Sequence, residues 1–332
     1  MTAITPDEIR TLLDQPFPEL LFQAATIHRR HWDPTRIQLC TLDSLRTGAC
    51  SEDCAYCAQS AHHDTNLFRG GPPARVARDV PPGAPHGVLI NPLKNREAVL
   101  AGARRALASG TTRYCMATSG RSLEEGPDFD AVLEIVREVR ALGLEACMSL
   151  GLITEGQAHR LKAAGCTVYN HNLDTSRLMY ERIVSTHTFD ERLATIRAVQ
   201  KAGLQVCCGG ILGLGESVDD RIHFLHELAL LDRAPDAIPI NILVPIPGTP
   251  LEDMPPVPVI EVLRVIATAR LLFPQSRIRL AAGRSSLSAE AQALAFCCGA
   301  NSIFTGEKLL TTPGTQGGAD QELLQILGMA PE

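Results

Sequence analysis

The stretch Phe129-Asp-Ala-Val-Leu-Glu-Ile-Val-Arg-Glu-Val-Arg-Ala-Leu-Gly143-Leu-Glu-Ala-Cys-Met148 contains one complete unit of the fold. Phe129, Val132, Val136 and Val139 recur at helical spacing, while Asp130, Glu134, Arg137 and Glu138 fall on the other face. Gly143 ends the helix in the left-handed conformation, and a short apolar run follows at once as a strand. The same order returns at Gly110 before Thr111–Met116, at Gly165 before Cys166–Tyr169 and at Gly203 before Leu204–Cys207. Two further helices open on capping boxes, Thr154 with Gln157 and Thr188 with Glu191.

Extended along the chain, the pattern predicts eight strands near 36–45, 112–118, 145–151, 166–172, 204–210, 237–243, 277–282 and 301–305. Strand–helix alternation repeated to this length predicts an α/β fold, a parallel (β/α)8 TIM-type barrel. An open doubly wound sheet is the alternative, but no G-x-G-x-x-G follows the first strand and no P-loop occurs. We read one domain over 1–332, with N-terminal helices over 1–35, the barrel over 36–312 and a C-terminal tail or helix over 313–332. The Gly and Pro residues crowded between Arg69 and Pro85 predict a loop there.

Composition bounds the function. The 332 residues carry 31 Lys plus Arg against 37 Asp plus Glu, a net charge of −6 that argues against nucleic-acid or anionic-membrane partners. No apolar run approaches the roughly 18 residues of a membrane span. The start Met1-Thr-Ala-Ile-Thr-Pro-Asp does not read as a signal peptide, so the expected location is the cytoplasm. In that reducing compartment 11 cysteines, an odd number, are expected to be buried, catalytic or metal-bound rather than paired.

The strongest chemical signal is Cys50-Ser-Glu-Asp-Cys54-Ala-Tyr-Cys57. It follows the first strand and so belongs at the C-terminal mouth of the barrel, where barrel active sites lie. Three thiolates would leave one iron of a four-iron cluster open to another molecule. A zinc knuckle completed by His62 or His63, in a non-enzymatic regulator, is the bland alternative. Cys115, Cys147 and Cys207 fall on three different strands at comparable depth and could converge inside the barrel, or be small buried apolar residues. Asn172 and Asp174 close the fourth strand, and Asn241 ends the sixth; an amide beside a carboxylate suits ribose hydroxyls. Cys40, Cys166, Cys208, Cys297 and Cys298 receive no function.

The C-x3-C-x2-C triple, with Tyr56 before its last cysteine, resembles the radical S-adenosylmethionine enzymes. That resemblance implies a [4Fe-4S] cluster on Cys50, Cys54 and Cys57 that binds and reductively cleaves S-adenosylmethionine. It further implies Tyr56, Asn172, Asp174, Asn241 and the run Gly209-x-Ile211-x-Gly213-x-x-Glu216 as contacts to S-adenosylmethionine or substrate. Thr47-Gly-Ala-Cys50, Glu145-Ala-Cys-Met148, Tyr169-Asn-His-Asn-Leu-Asp-Thr-Ser176, Pro239-Ile-Asn241, Gly248-Thr-Pro-Leu251, Ala282-Gly-Arg284 and Ala300-Asn-Ser-Ile-Phe304 narrow the likeness to the biotin synthase family over about residues 36–312. The narrower resemblance implies a [2Fe-2S] cluster on Cys115, Cys147, Cys207 and Arg284 that donates sulfur to dethiobiotin. It also implies a reducing electron-transfer protein and a homodimer. The chain departs from the family pattern after Cys57 and at Met116-Ala-Thr-Ser-Gly120. A related radical enzyme with another substrate is the alternative reading.

Overall fold

Two helices, α1 (Pro6–Leu13) and α2 (Phe17–His31), precede the first strand, β1 (Arg36–Arg46). Alternation then runs through α3 (Arg96–Ala108), β2 (Arg113–Thr118), α4 (Pro127–Ala141), β3 (Glu145–Ser149), α5 (Glu155–Ala163) and β4 (Val168–Asn170). It continues with α6 (Arg177–Ile183), α7 (Phe189–Lys201), β5 (Gln205–Cys207), β6 (Gly210–Leu212), α8 (Val218–Ala229) and β7 (Ala237–Ile242). The last turns are α9 (Val259–Leu272), β8 (Arg277–Leu280), α10 (Ala289–Cys297) and β9 (Ser302–Thr305). A hairpin of β10 (Lys308–Leu309) and β11 (Thr312–Pro313), helix α11 (Ala319–Ile326) and β12 (Ala330–Pro331) follow. This is a computed structural model, which describes residues 4–65, 92–306, 308–315 and 318–332. The loop expected between Arg69 and Pro85 lies outside the described residues.

The barrel pairs its strands in parallel, and β1 closes it by pairing with both β2 and β9. The fifth barrel strand, expected over 204–210, is split into β5 and β6. Its break falls at Cys208-Gly209 because a Cβ on Gly209 would lie 1.9 Å from the Pro239 carbonyl oxygen; only glycine lets β7 pass this closely. The C-terminal end packs back onto the barrel through β12, paired with the start of β1.

The helices form as their sequence patterns require. Thr154 and Thr188 make the expected capping boxes with Gln157 and Glu191. Phe129, Val132, Val136 and Val139 are fully buried, each contributing about 1.5–3 kcal/mol of burial relative to exposure. On the other side of the barrel α2 packs on α9, and the Trp32 indole donates to the Pro274 carbonyl at 2.9 Å. The N-terminal helices therefore brace the end of the barrel where the strands begin. Among the described residues no helix is long and apolar enough to cross a membrane.

Candidate active site

The Cys50–Cys57 loop leaves β1 and folds over the mouth of the barrel. Cys50 N–H donates to the Gln59 carbonyl at 2.9 Å, and Cys57 N–H to the Cys54 carbonyl at 2.9 Å, so the loop closes on itself. The residues between the cysteines anchor it outward. Asp53 accepts the Ser185 N–H at 2.9 Å, the Thr186 N–H at 3.2 Å and the Ser185 hydroxyl. Burial works against the Asp53 charge, but these donors outweigh it and hold the carboxyl down to about 2. Glu52 is buried and accepts the Thr186 hydroxyl at 2.8 Å, the His187 imidazole and Arg121 at 3.5 Å. Its carboxyl is likewise held below the usual range: His187 and Thr186 overcome the opposing effect of burial. The turn between α6 and α7 thus clamps the cysteine loop from across the mouth. On the other side Gly248 abuts its end: a Cβ there would meet the Asp64 carbonyl oxygen at 2.1 Å.

Beneath the loop a cavity of about 360 Å³ opens into the barrel. Cys50, Cys54 and Cys57 wall it at the mouth, and Cys115 and Cys147 wall it at depth. Cys115 and Cys147 are register partners across β2 and β3, while Cys207 pairs with Asn170 across β4 and β5. Together with Cys40, Val168 and Ala237 the three thiols form one small buried cluster. Burial pushes the mouth thiols up, Cys57 to about 11, so they are protonated unless a cation compensates. Neutral thiols gathered round a cavity are the donor set a cationic iron–sulfur centre would convert to thiolates.

The same geometry tests the zinc alternative. Nε2 of His62 lies 3.0 Å from the Ser51 carbonyl and Nε2 of His63 3.0 Å from the Cys54 carbonyl, so both rings are turned to main chain. Among the described residues no three His, Cys, Asp or Glu side chains converge on one ion-sized point.

Between the two cysteine sets stand the expected polar residues. Asp174, buried with a left-handed backbone (φ 67°), accepts the Tyr56 hydroxyl at 2.9 Å and pairs with Arg192 at 3.0 Å. Asn172 and Asn241 line the cavity; the Asn172 side chain accepts the Gly209 N–H at 3.1 Å, and Asn241 bridges the Gly210 carbonyl and the Ala282 N–H. Ile211 also lines it. Of the 116–120 segment, Met116, Ala117, Thr118 and Gly120 do so as well.

Three placements differ from expectation. Gly209 and Glu216 are not on the cavity wall. Gly209 is spent on the close passage of Pro239, and the buried Glu216 carboxylate accepts the Gly213 N–H at 3.0 Å and pairs with Arg221 at 2.9 Å, which fixes the turn into α8. Arg284 is not beside the inner thiols. β8 ends at Leu280, so Arg284 has left the barrel on a short 3-10 turn, where it binds Gln292, the Phe304 carbonyl, Thr315 and Asp320. The arginine at the thiols is Arg279, inside β8. Its Nη1 lies 3.5 Å from Cys207 Sγ, Nε donates to Ser302 at 2.9 Å and Nη2 to Gln38 at 3.2 Å, and its plane lies over Phe304.

Sequence reasoning also passed over Arg192, Glu52 and His187. Arg192 sits on α7 next to the Glu191 of a capping box, with nothing in its spacing to mark it. Glu52 did carry a signal: a carboxylate inside a ligand loop that ends up buried needs a partner. The buried His171, in the Asn-His-Asn run, also faces the cavity; burial first, then Arg192, pushes its ring far toward neutrality.

The chain matches the radical SAM superfamily over residues 44–228 and the biotin and thiamin synthesis associated domain over 239–330. It is 49% identical over 328 residues to a biotin synthase of Gloeobacter violaceus, covering 99% of this chain and 96% of the relative. It is 51% identical to a biotin synthase of Acinetobacter baylyi over 328 residues, covering 99% and 93%. Among solved structures it is similar in fold to a methylornithine synthase (TM-score 0.77, 20% identity, 99% and 94% covered). The hydrogenase maturase HydG of Carboxydothermus hydrogenoformans is similar too (TM-score 0.76, 16% identity, 99% and 76% covered). With near-complete coverage at half identity, and with cysteines at both ends of one barrel cavity, the chain belongs to the biotin synthase family of radical S-adenosylmethionine enzymes.

Proposed function

We propose that the chain converts dethiobiotin to biotin within the single cavity that joins its two cysteine sets, taking the inserted sulfur from a [2Fe-2S] cluster held at depth. The observation that carries this reading is the shared wall: Cys50, Cys54 and Cys57 at the mouth and Cys115 and Cys147 inside face one space of about 360 Å³. A [4Fe-4S] cluster on the mouth triple, when bound, supplies the electron that cleaves S-adenosylmethionine to methionine and a 5′-deoxyadenosyl radical.

The chain's own groups position the reaction. Asp174, oriented by Arg192 and Tyr56, presents a fixed carboxylate; with Asn172 and Asn241 it suits the ribose hydroxyls. His171, held neutral, adds no charge to the cavity. Apolar walls from Met116, Met148 and Ile242 keep water and other hydrogen donors from a radical. Two C–H hydrogens of the substrate leave one at a time, each to a 5′-deoxyadenosyl radical, and two C–S bonds to one sulfide take their place; the sulfide's bonds to iron would break, and the two electrons released would pass to the iron of the inner cluster. The sulfur source is therefore a substrate, consumed from the Cys115, Cys147 and Cys207 set, with Arg279 the arginine beside it in place of Arg284.

The test is anaerobic loading with iron and sulfide, then incubation with a low-potential reductant, S-adenosylmethionine and dethiobiotin, followed by mass spectrometry. Biotin with about two equivalents of 5′-deoxyadenosine is expected. Cleavage of S-adenosylmethionine without biotin would overturn the substrate and keep the radical chemistry.

A further inference from the structure

The hairpin β10–β11 gives consecutive residues to the cavity wall: Leu309, Leu310, Thr311 and Thr312. Nothing within the hairpin accounts for its position. Its strands are two residues each, joined by the Lys308–Pro313 and Leu309–Thr312 pairs and by the Thr312 hydroxyl, which donates to the Leu309 carbonyl at 3.2 Å. A two-stranded ribbon is marginal at best by itself, and one this short needs outside support. At its tip Leu310 takes a left-handed backbone (φ 44°), a conformation uncommon outside glycine that persists where the surroundings impose it.

Arg284 grips the chain on both sides of the hairpin. Its Nη2 donates to the Phe304 carbonyl at 2.8 Å, on the strand that leads in, and to the Thr315 hydroxyl at 3.3 Å, on the segment that leads out. The same nitrogen pairs with Asp320 on α11 at 2.8 Å, and Asp320 accepts the Thr315 hydroxyl at 2.7 Å. Nη1 donates to the Gln292 side chain on α10 at 2.8 Å, and the Gln292 amide donates in turn to the Leu287 carbonyl at 3.2 Å. Arg284 and Asp320 are both buried, so water competes little for these contacts. A planar guanidinium spans several segments in one fixed fork, which a compact ammonium cannot do.

We propose that Arg284 is a positioning residue for substrate binding, one that ties Phe304 to Thr315 and so holds the hairpin wall against which dethiobiotin seats, a role that rests on reading the cavity as the dethiobiotin site. It acts through the wall and through neither cysteine set. Equilibrium dialysis of labelled dethiobiotin against the anaerobically loaded full-length protein, with S-adenosylmethionine present, tests this. Arg284→Ala is expected to weaken dethiobiotin binding about tenfold. Arg284→Lys should recover only part of that loss, and the affinity for S-adenosylmethionine should stay at the wild-type value in both. The Arg284→Ala/Asp320→Ala double variant leaves no unpaired buried carboxylate and should show the same loss, which keeps the test decisive if the single variant does not fold. Wild-type affinity for dethiobiotin in the folded variants would overturn the proposal. An equal loss of both ligands would also overturn it, since a merely structural role would spare neither. A wild type that binds S-adenosylmethionine but not dethiobiotin would instead overturn the reading of the cavity.

Discussion

The two ends of the cavity hold their cysteines in opposite ways. At the mouth, Cys50, Cys54 and Cys57 lie within eight consecutive residues of a loop, and their position depends on clamps from remote segments, Ser185–His187 and Gly248. At depth, Cys40, Cys115, Cys147 and Cys207 are far apart in the chain and sit on four strands whose register sets their spacing. A loop can follow a bound partner as it changes, which suits a centre that takes up and releases a small molecule. A strand set cannot, which suits a site that must present one atom at one place.

The largest effect should come from removing one thiol at either end. Cys54→Ala is expected to abolish reductive cleavage of S-adenosylmethionine while leaving the two-iron spectrum intact. Cys147→Ala should do the reverse, with cleavage retained, biotin lost and the two-iron signal gone. If either substitution removed both signals, the two ends would not be separate sites. A smaller effect separates the arginines. Arg279→Ala should perturb the two-iron spectrum and lower product yield by an order of magnitude or more. Arg284→Ala should leave that spectrum unchanged and loosen the C-terminal segment, because its partners are Gln292, Thr315 and Asp320. Limited proteolysis near residue 315 would report the loosening, and an altered two-iron spectrum in Arg284→Ala would return that residue to the site.

Smaller again is the clamp. Asp53→Ala removes a carboxylate that accepts the Ser185 and Thr186 N–H groups. Hydrogen bonds to a charged group are worth about 1.5–3 kcal/mol each net of competition with water, so part of that should appear as a looser mouth. The expected outcome is several-fold faster loss of four-iron absorption to a chelator, with the two-iron absorption unaffected. Equal loss at both ends would mean that the clamp stabilises the whole barrel and not the loop.

The contrast also explains what could be read from the chain. The barrel was legible because its helix–Gly–strand unit is local and repeats, and the mouth triple because its three cysteines fall within eight consecutive residues. The break in the fifth strand was not, since it depends on Pro239 pressing against Gly209 from β7. The arginine was misplaced for a related reason. Ile278-Arg-Leu-Ala-Ala-Gly-Arg284 offers two arginines five residues apart, and the choice turns on where β8 ends, the least reliable feature of a strand read from sequence. A fully buried arginine inside a strand is tolerated only if the facing strands supply partners, and Gln38, Ser302 and Cys207 become visible as partners only once the barrel has closed. Cys40 was given no function because it is one small residue on a strand, and its burial beside Cys115, Cys147 and Cys207 shows only once the barrel has closed.

A pH dependence, which leaves the chemistry at both ends untouched, also sets the two ends apart. Near the end where the strands begin, His28 on α2 is buried against Arg270, and burial first, then that cation, lowers its imidazole to about 4. The folded chain therefore holds His28 neutral, whereas the unfolded chain protonates it near 6.5. Its contribution is complete above pH 6.5 and is lost as the pH falls toward 4, by up to about 3 kcal/mol. The mouth clamp behaves differently. Asp53 is held down to about 2 from an ordinary 3.8, so its contribution persists above pH 3.8 and fades only below it. Between pH 6.5 and 4 the bracing helices should loosen while the clamp holds. Trp32, the single tryptophan, lies one turn beyond His28 with its ring against Arg277, so its fluorescence reports this end alone. The urea midpoint read from Trp32 should fall across that window in wild type and stay nearly level in His28→Leu. An acid dependence unchanged by the substitution would assign it to another group, and the difference between the two ends would then rest on the cysteines alone.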